Sequence, residues 1–475
     1  MMRHIAGAQT WRVAILCVLV SMAAAVPGNA QVRTQDLAVN TQSQRQPGGA
    51  GRTPSNAPLV LTIQDALQRA RSNSPQFQSA VTDLGVAREE RVQSRAGLLP
   101  NVNYTTQVLY TQPAQPAGQT ALGIPVRFIA NNFPHEYVAQ GIVHQVISPG
   151  LIAEYRRTGA LVALAKAKAE IAARGLVVTV VQAYYGYVVA QRKYATEQRA
   201  ATEAQHFFEI SQKLERGGEV AHSDVIKAQI QYQQQQRDLQ EAQLGMDKAR
   251  LGLAVLLFPD FNENFSIIDD LRLPAPLPSF AEVSAAATKN NPEIRAAVAS
   301  LRAAGQDVAV AWAGALPSIS GDYFYGIDAP RFATYSTDPG SGQRFKNLGY
   351  SWAITLDLPI WNWGSNYSKV KQAKLVRRQA QVELSAAQRQ FLADLRSFYS
   401  EAQIARTELE SLSSSADLAA ESLRLTTLRY QGGEATVLEV VDAQNTLTQA
   451  QNAYDDGQVR FRLAMANLQT LTGTL

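Results

Sequence analysis

Two stretches of this chain, residues 151–216 and 365–431, run without a proline and carry apolar side chains at three- and four-residue spacing. Each predicts one helix of about 66 residues, about 100 Å long at 1.5 Å per residue. A helix of that length cannot wrap a single compact core. Its apolar stripe must pack along neighbours that run parallel to it, as in coiled coils. Each long helix ends on a glycine pair, Gly217-Gly218 or Gly432-Gly433, and another helix of about 34 residues follows. The helical part is therefore a long rod or the wall of a tube.

The same plan is written twice. Thr62 to Val102 overlies Ser279 to Ile319 without a gap at a spacing of 217 residues. Ser74-Pro75-Gln76 then falls on Asn291-Pro292-Glu293, and Ala96-Gly97-Leu98-Leu99-Pro100 on Ala313-Gly314-Ala315-Leu316-Pro317. Further on, Arg216-Gly217-Gly218-Glu219 matches Gln431-Gly432-Gly433-Glu434, and Ala228-Gln229 matches Ala443-Gln444, at a spacing of 215. A period this long is no solenoid repeat but the tandem duplication of a whole unit. Each copy opens with a helical stretch, 63–96 or 280–313, closed by Pro100 or Pro317. Two strand-like segments and a polar loop lead to the long helix. The predicted domains are a first repeat over 59–277, with strands at about 101–111 and 135–147, and a second over 278–475, with strands at about 318–326 and 347–358.

The strand segments alternate. Tyr350, Trp352, Ile354, Leu356 and Leu358 point one way, against Ser351, Ala353, Thr355 and Asp357. Ile319, Tyr323 and Tyr325 alternate with Ser318, Ser320 and Asp322, and Val102, Tyr104, Val108 and Tyr110 with Asn101, Asn103, Thr105 and Gln107. Leu109 is an exception, and 137–147 is less regular. A transmembrane barrel requires this pattern over about ten residues, and a half-buried sheet gives it too. Four strands cannot close a membrane barrel, and an open edge in lipid is costly. A barrel must therefore be shared by several copies; three would give twelve strands, and strand arithmetic leaves two or four open.

Arg3 and Arg12 precede an apolar run from Val13 to Val26, and Gly28-Asn29-Ala30 has the small residues of a cleavage site. Residues 1–30 are therefore expected to be an export signal, the run being short for the roughly 20 residues of a membrane-spanning anchor. Residues 31–58, rich in Gln, Pro, Gly, Asn and Ser, are expected to be a disordered leader. The single cysteine, Cys17, lies inside the apolar run, which leaves no thiol for a disulfide or a thiolate metal site after export. The 44 Lys+Arg and 40 Asp+Glu are spread evenly, without the basic face that nucleic-acid binding needs. No Gly-x-Ser-x-Gly, P-loop, dinucleotide fingerprint or His-x-x-x-His occurs, and His4, His135, His144, His206 and His222 are scattered. An enzyme, a resident metal and a cofactor are therefore not expected.

A duplicated helix–strand–strand–helix–helix unit carrying Leu61-Thr62-Ile63-Gln64-Asp65-Ala66-Leu67, Asn73-Ser74-Pro75, Gly97-Leu98-Leu99-Pro100-Asn101 and Ala183-Tyr184-Tyr185 resembles the TolC-like outer membrane efflux proteins, over roughly 61–471. The resemblance implies a mostly α fold with a membrane β-barrel contribution. It implies a homotrimer with a twelve-stranded outer-membrane barrel continuing into a long periplasmic α-helical tunnel. It further implies an exit duct of a tripartite efflux or type I secretion system, working with a periplasmic adaptor and an inner-membrane pump. Gly218, Ala221, Ser223, Asp224 and Val225 match the family's first tip pattern; Tyr430, Gly433, Glu439, Val440 and Asp442 match the second, with Glu439 in place of the usual Asp.

The periplasmic gate implied by this resemblance comprises Glu439, Asp442, Asp224, Ser223 and Tyr430. The implied adaptor-docking tips comprise Gly217, Gly218, Ala221, Val225, Gly432, Gly433 and Val440. Glu439 and Asp442 stand three apart on one helix face, so threefold symmetry would make a ring of up to six carboxylates favouring cations. A solvated acidic patch at a helix start is the plain alternative. Ala435 stands where some relatives carry an arginine that latches the tips, and Arg216 or Arg429 is available in its place. Trp361 and Trp363 suit either a membrane interface or the junction of sheet and helix. The rival to a channel is a periplasmic coiled-coil adaptor without a pore. With only Met246 and Met465 after the leader, a methionine relay for soft metals is not expected.

Overall fold

The computed structural model describes residues 59–111, 135–271, 276–337 and 341–473. The expected signal, leader and polar loop after the first strand lie outside the described residues. Eight helices among those described are α1 (Ile63–Asn73), α2 (Pro75–Ala96), α3 (Pro149–Gly217), α4 (His222–Leu257), α5 (Phe280–Asn290), α6 (Pro292–Ala313), α7 (Ser365–Gln431) and α8 (Val437–Thr472). With 69 and 67 residues, α3 and α7 are each about 100 Å long. None of the helices is long and apolar enough to cross a membrane, among the described residues.

The first helical stretch of each copy is not continuous, which corrects the sequence expectation. Ser74 and Asn291 leave the helical region (ψ 115° and 118°), and their side chains accept the Phe77 and Ile294 amides. Pro75 and Pro292 then start a new helix, where a missing N–H costs nothing and the preceding residue is forced to be extended. Upstream, Thr62 with Asp65 and Ser279 with Glu282 form capping boxes at matching positions.

Four three-residue strands lie outside the segments that the sequence predicts. β1 (Leu59–Leu61) and β4 (Phe265–Ile267) pair in parallel at the waist of the rod. They lie over Tyr184, whose hydroxyl sits 2.8 Å from the Ile268 carbonyl and accepts the Ile268 amide at 3.1 Å. Val177, Val180, Val188, Leu253 and Leu257 complete this core. Burial pushes the Tyr184 phenol up to about 12, so it stays a neutral donor. Beside it, Arg192 holds Asp269 (2.6 and 2.7 Å) and Asp455 (2.8 Å), joining α3, the waist segment and α8. A second core, Phe391, Leu395, Phe461 and Met465, lies between α7 and α8.

Strands β2 (Asn101–Tyr110), β3 (His135–Ile147), β5 (Ser318–Ala329) and β8 (Leu348–Asp357) form an antiparallel sheet in that order. The register joins the separate alternations into two faces. Tyr104, Gly141, Tyr325 and Tyr350 stand in one row, and Val143, Tyr323 and Trp352 in the row beside it, with Ile319 and Leu356 further along. The opposite face carries Asn103, Gln107, Asp322, Ser351 and Thr355, with His144 2.6 Å from Asp322. No described layer covers the apolar face: Val102 and Tyr104 are 72% exposed, Trp352 and Ile354 68%. A further hairpin, β6 (Tyr335–Thr337) with β7 (Arg344–Lys346), tops β5 and β8. At the other end, Trp363 (φ 55°) and Gly364 (φ 81°) turn the chain from β8 into α7.

Candidate functional site

The two helix–turn–helix tips are built by one backbone device. At the first, Gly218 (φ 77°) donates to the Glu215 carbonyl and Glu219 to the Leu214 carbonyl, both at 2.9 Å. At the second, Gly433 (φ 74°) donates to Tyr430 at 3.1 Å and Glu434 to Arg429 at 2.8 Å. This Schellman pattern satisfies the last carbonyls of a helix and requires one residue in the left-handed region, which glycine adopts without strain. Gly217 and Gly432 keep ordinary conformations beside them.

The returning helices begin differently. Ala221, at the N-cap of α4, offers no side-chain acceptor; His222 Nδ1 instead meets Glu215 Oε1 across the turn at 2.6 Å. Thr436, at the N-cap of α8, forms a capping box: Glu439 Oε1 accepts from the Thr436 amide at 3.1 Å and its hydroxyl at 3.0 Å. Arg429 reaches back over the same turn, 3.6 Å from Glu439 Oε2 and 3.1 Å from the Glu434 carbonyl. Thr436 first, and then Arg429, hold the Glu439 carboxyl below its usual range.

The three acidic positions at the tips therefore differ in how far their charge is already paired. Asp224 is paired with Lys227 at 3.0 Å, and Glu439 is tied to its cap and to Arg429. Asp442 is exposed and makes no ion pair among the described residues. It occupies the position that Lys227 holds in the first copy. Ser223 is exposed beside Asp224.

Tyr430 is buried. Its hydroxyl lies 3.2 Å from Ser211 Oγ and its ring packs on Phe207 at 4.9 Å, so it joins α7 to α3. Around it stand Ala228, Leu423, Val437, Val440 and Ala443. Val225 and Val440 are turned inward, at 6% and 0% exposure. Gly217, Gly218, Ala221, Gly432 and Gly433 are exposed. Above this core a cleft of about 720 Å³ opens between α3, α7 and α8, lined by His206, Ile210, Leu428 and Leu447. Ser211 had no signal in the sequence. The Thr436-x-x-Glu439 spacing did have one, as a capping box. Among the described residues no group of three or more His, Cys, Asp or Glu side chains is arranged to hold a metal.

A rod of long helices with a bare apolar sheet at one end and paired helical tips at the other resembles outer membrane efflux proteins both in sequence and in fold. Residues 283–474 match the outer membrane efflux protein family. TolC of Vibrio cholerae is 24% identical over 430 residues, covering 89% of this chain and 93% of that protein. The alkaline protease secretion protein AprF of Pseudomonas aeruginosa is 21% identical over 429 residues, covering 88% and 85%. In fold, the outer membrane protein VceC of Vibrio cholerae superposes with a TM-score of 0.72 at 17% identity, covering 86% of this chain and 96% of that one. The Campylobacter jejuni CmeC outer membrane channel gives 0.72 at 17% identity, covering 86% and 85%. The chain is TolC-like in sequence and in fold, and its second half carries the outer membrane efflux protein domain.

Proposed function

We propose that this chain is one subunit of a homotrimeric outer-membrane channel and not an enzyme. In this reading it is the exit duct of a tripartite efflux or type I secretion system, with a long periplasmic extension. The observation that carries the reading is the four-stranded sheet, apolar and uncovered on one face, with β2 and β8 unpaired at its edges. Edges and an apolar face are stable in lipid only when the sheet is closed. Three copies closing β2 onto β8 make twelve strands with the polar face, Gln107, Asp322 and Thr355 among it, turned to a lumen. The two repeats, 59–277 and 278–475, then supply alternate hairpins around the duct.

The lower end closes where the tips meet. Asp442 and Glu439 from three subunits form the acidic ring, with Asp442 its unpaired member, and Asp224 and Ser223 lie on the neighbouring tip. Tyr430 holds the two hairpins of a subunit together through Ser211. A periplasmic adaptor docks on the exposed turns at Gly217, Gly218, Ala221, Gly432 and Gly433, and through it an inner-membrane pump delivers the cargo. Transport through the duct itself is passive.

Single-channel recording of the detergent-extracted full chain in a planar bilayer tests this. Discrete cation-selective steps are expected, with selectivity reduced by Asp442→Asn. A folded protein that needs no detergent and never conducts would instead be a coiled-coil adaptor.

A further inference from the structure

Although the 44 Lys+Arg and 40 Asp+Glu nearly balance over the whole chain, the first turns of α7 carry a basic stripe that no described residue neutralises. Residues 358–382 include Lys369, Lys371, Lys374, Arg377 and Arg378 and no Asp or Glu. All five side chains are exposed, and none forms an ion pair among the described residues. Tyr367, Lys371, Lys374 and Arg378 follow one another at steps of four, three and four, so they share one stripe of the helix. Val370, at the edge of the stripe, and Ala380, on the far side of the helix, are buried. The start of α3 has no such stripe: there Arg157 is engaged by Glu154 at 2.7 Å and faces Asp307 at 3.6 Å.

What precedes the stripe is apolar and aromatic. Leu358 and Ile360 extend the apolar series of β8 beyond the strand, and both are exposed. Trp361 and Trp363 come next, edge to face at 5.9 Å and 75% and 89% exposed. A non-glycine residue at φ 55° is unusual, and with Gly364 it fixes the tryptophan pair against the start of α7. Lys374 Nζ then lies 5.7 Å from the ring centre of Trp312, itself exposed.

Apolar side chains, then an aromatic pair, then unpaired bases are the environments met in order on leaving a bilayer: hydrocarbon, interface, anionic headgroups. We propose that the α7 stripe binds the phosphate-bearing headgroups of anionic phospholipid in the leaflet where the sheet meets the rod. The proposal rests on the reading that the apolar sheet face sits in lipid. Lys371 begins about 9 Å along α7 and Arg378 about 20 Å. The nearer bases therefore dominate, since the attraction fades over a Debye length of about 8–10 Å. Each base near the surface contributes a preference of about fivefold.

The test is native mass spectrometry of lipids retained by the full chain after reconstitution in equal phosphatidylglycerol and phosphatidylcholine. The expected result is phosphatidylglycerol retained at least fivefold over phosphatidylcholine, falling towards parity in the Lys371→Gln, Lys374→Gln, Arg378→Gln variant. Arg389→Gln, Arg396→Gln, Arg406→Gln, further down the same helix, is expected to keep the preference. Insertion with no preference, or with a preference indifferent to the first triple, overturns the proposal. So does loss of subunits in that triple, which would assign the stripe to contacts between copies. Failure of the wild-type chain to insert even in phosphatidylcholine overturns the barrel reading instead.

Discussion

Removing either side of the Tyr430–Ser211 contact should loosen the tips, but by different amounts. Ser211 Oγ already donates to the Phe207 carbonyl at 3.0 Å, so the Tyr430 hydroxyl is the donor in the 3.2 Å contact between them. Tyr430→Phe deletes that hydroxyl and leaves Ser211 satisfied, a loss of about 1 kcal/mol for one neutral hydrogen bond. Ser211→Ala strands a buried phenol instead, at about 1–3 kcal/mol. If the pair parts when the hairpins separate, the open state exposes both groups to water and is spared the penalty. The closed-to-open ratio per subunit then falls about fivefold in Tyr430→Phe and about thirtyfold for a midpoint of about 2 kcal/mol in Ser211→Ala. Open-time fractions from bilayer recordings, with circular dichroism to confirm an intact helical rod, measure both. Equal effects, a reversed order, or unchanged gating in two folded variants would refute the argument.

Three further outcomes are expected. The Glu439 carboxyl is held below its usual 4.5, so its folded value lies under its unfolded one. Its contribution to the second tip is complete above that usual value and lost as pH falls through the lower folded one. Amide exchange at Thr436 and Glu439 against pH checks this, and a loss of protection beginning at higher pH contradicts it. Gly433→Ala forces an alanine into φ 74° at roughly 1–2 kcal/mol, whereas Gly217→Ala meets only the flexible Glu219 side chain; limited proteolysis should cut the second tip of the former faster and leave the latter as wild type. Gly326→Ala would drive its Cβ into the Ala139 carbonyl and the Gln140 Cα of the adjoining strand. That variant is expected to lose the slow-migrating oligomer on unheated gels.

Much of the frame could be read directly because it rests on local rules. Proline-free apolar periodicity places α3 and α7, and the glycine pairs place the turns between helices. The alternation in β2, β5 and β8 survives because every second residue of a strand shares a face. The features that escaped depend on distance or on competition between rules. Ser74-Pro75 and Asn291-Pro292 sit inside a helical periodicity that hides them, although a capping residue before proline marks a fresh helix start. Strands β1 and β4 are too short to show any period. The family resemblance puts Tyr430, Val225 and Val440 at the tips but does not say which way they turn; for Tyr430 that depends on packing against Phe207, far away in sequence. Glu439 was read for its charge, yet its first task is to cap its own helix.

The arrangement at the waist has a mechanical consequence. Among the described helices only α3 and α7 run from sheet to tip; α2 and α6 accompany their sheet-side halves, and α4 and α8 their tip-side halves. Torque applied at the tips of one subunit therefore has two shafts along which to travel. Both pass the level where their companions change over, and there the β1–β4 clasp and the Arg192 ties grip α3 from the side. Both shafts cross that level without a break, so their backbone hydrogen bonds carry the load from tip to sheet while the shorter helices lend it only side contacts.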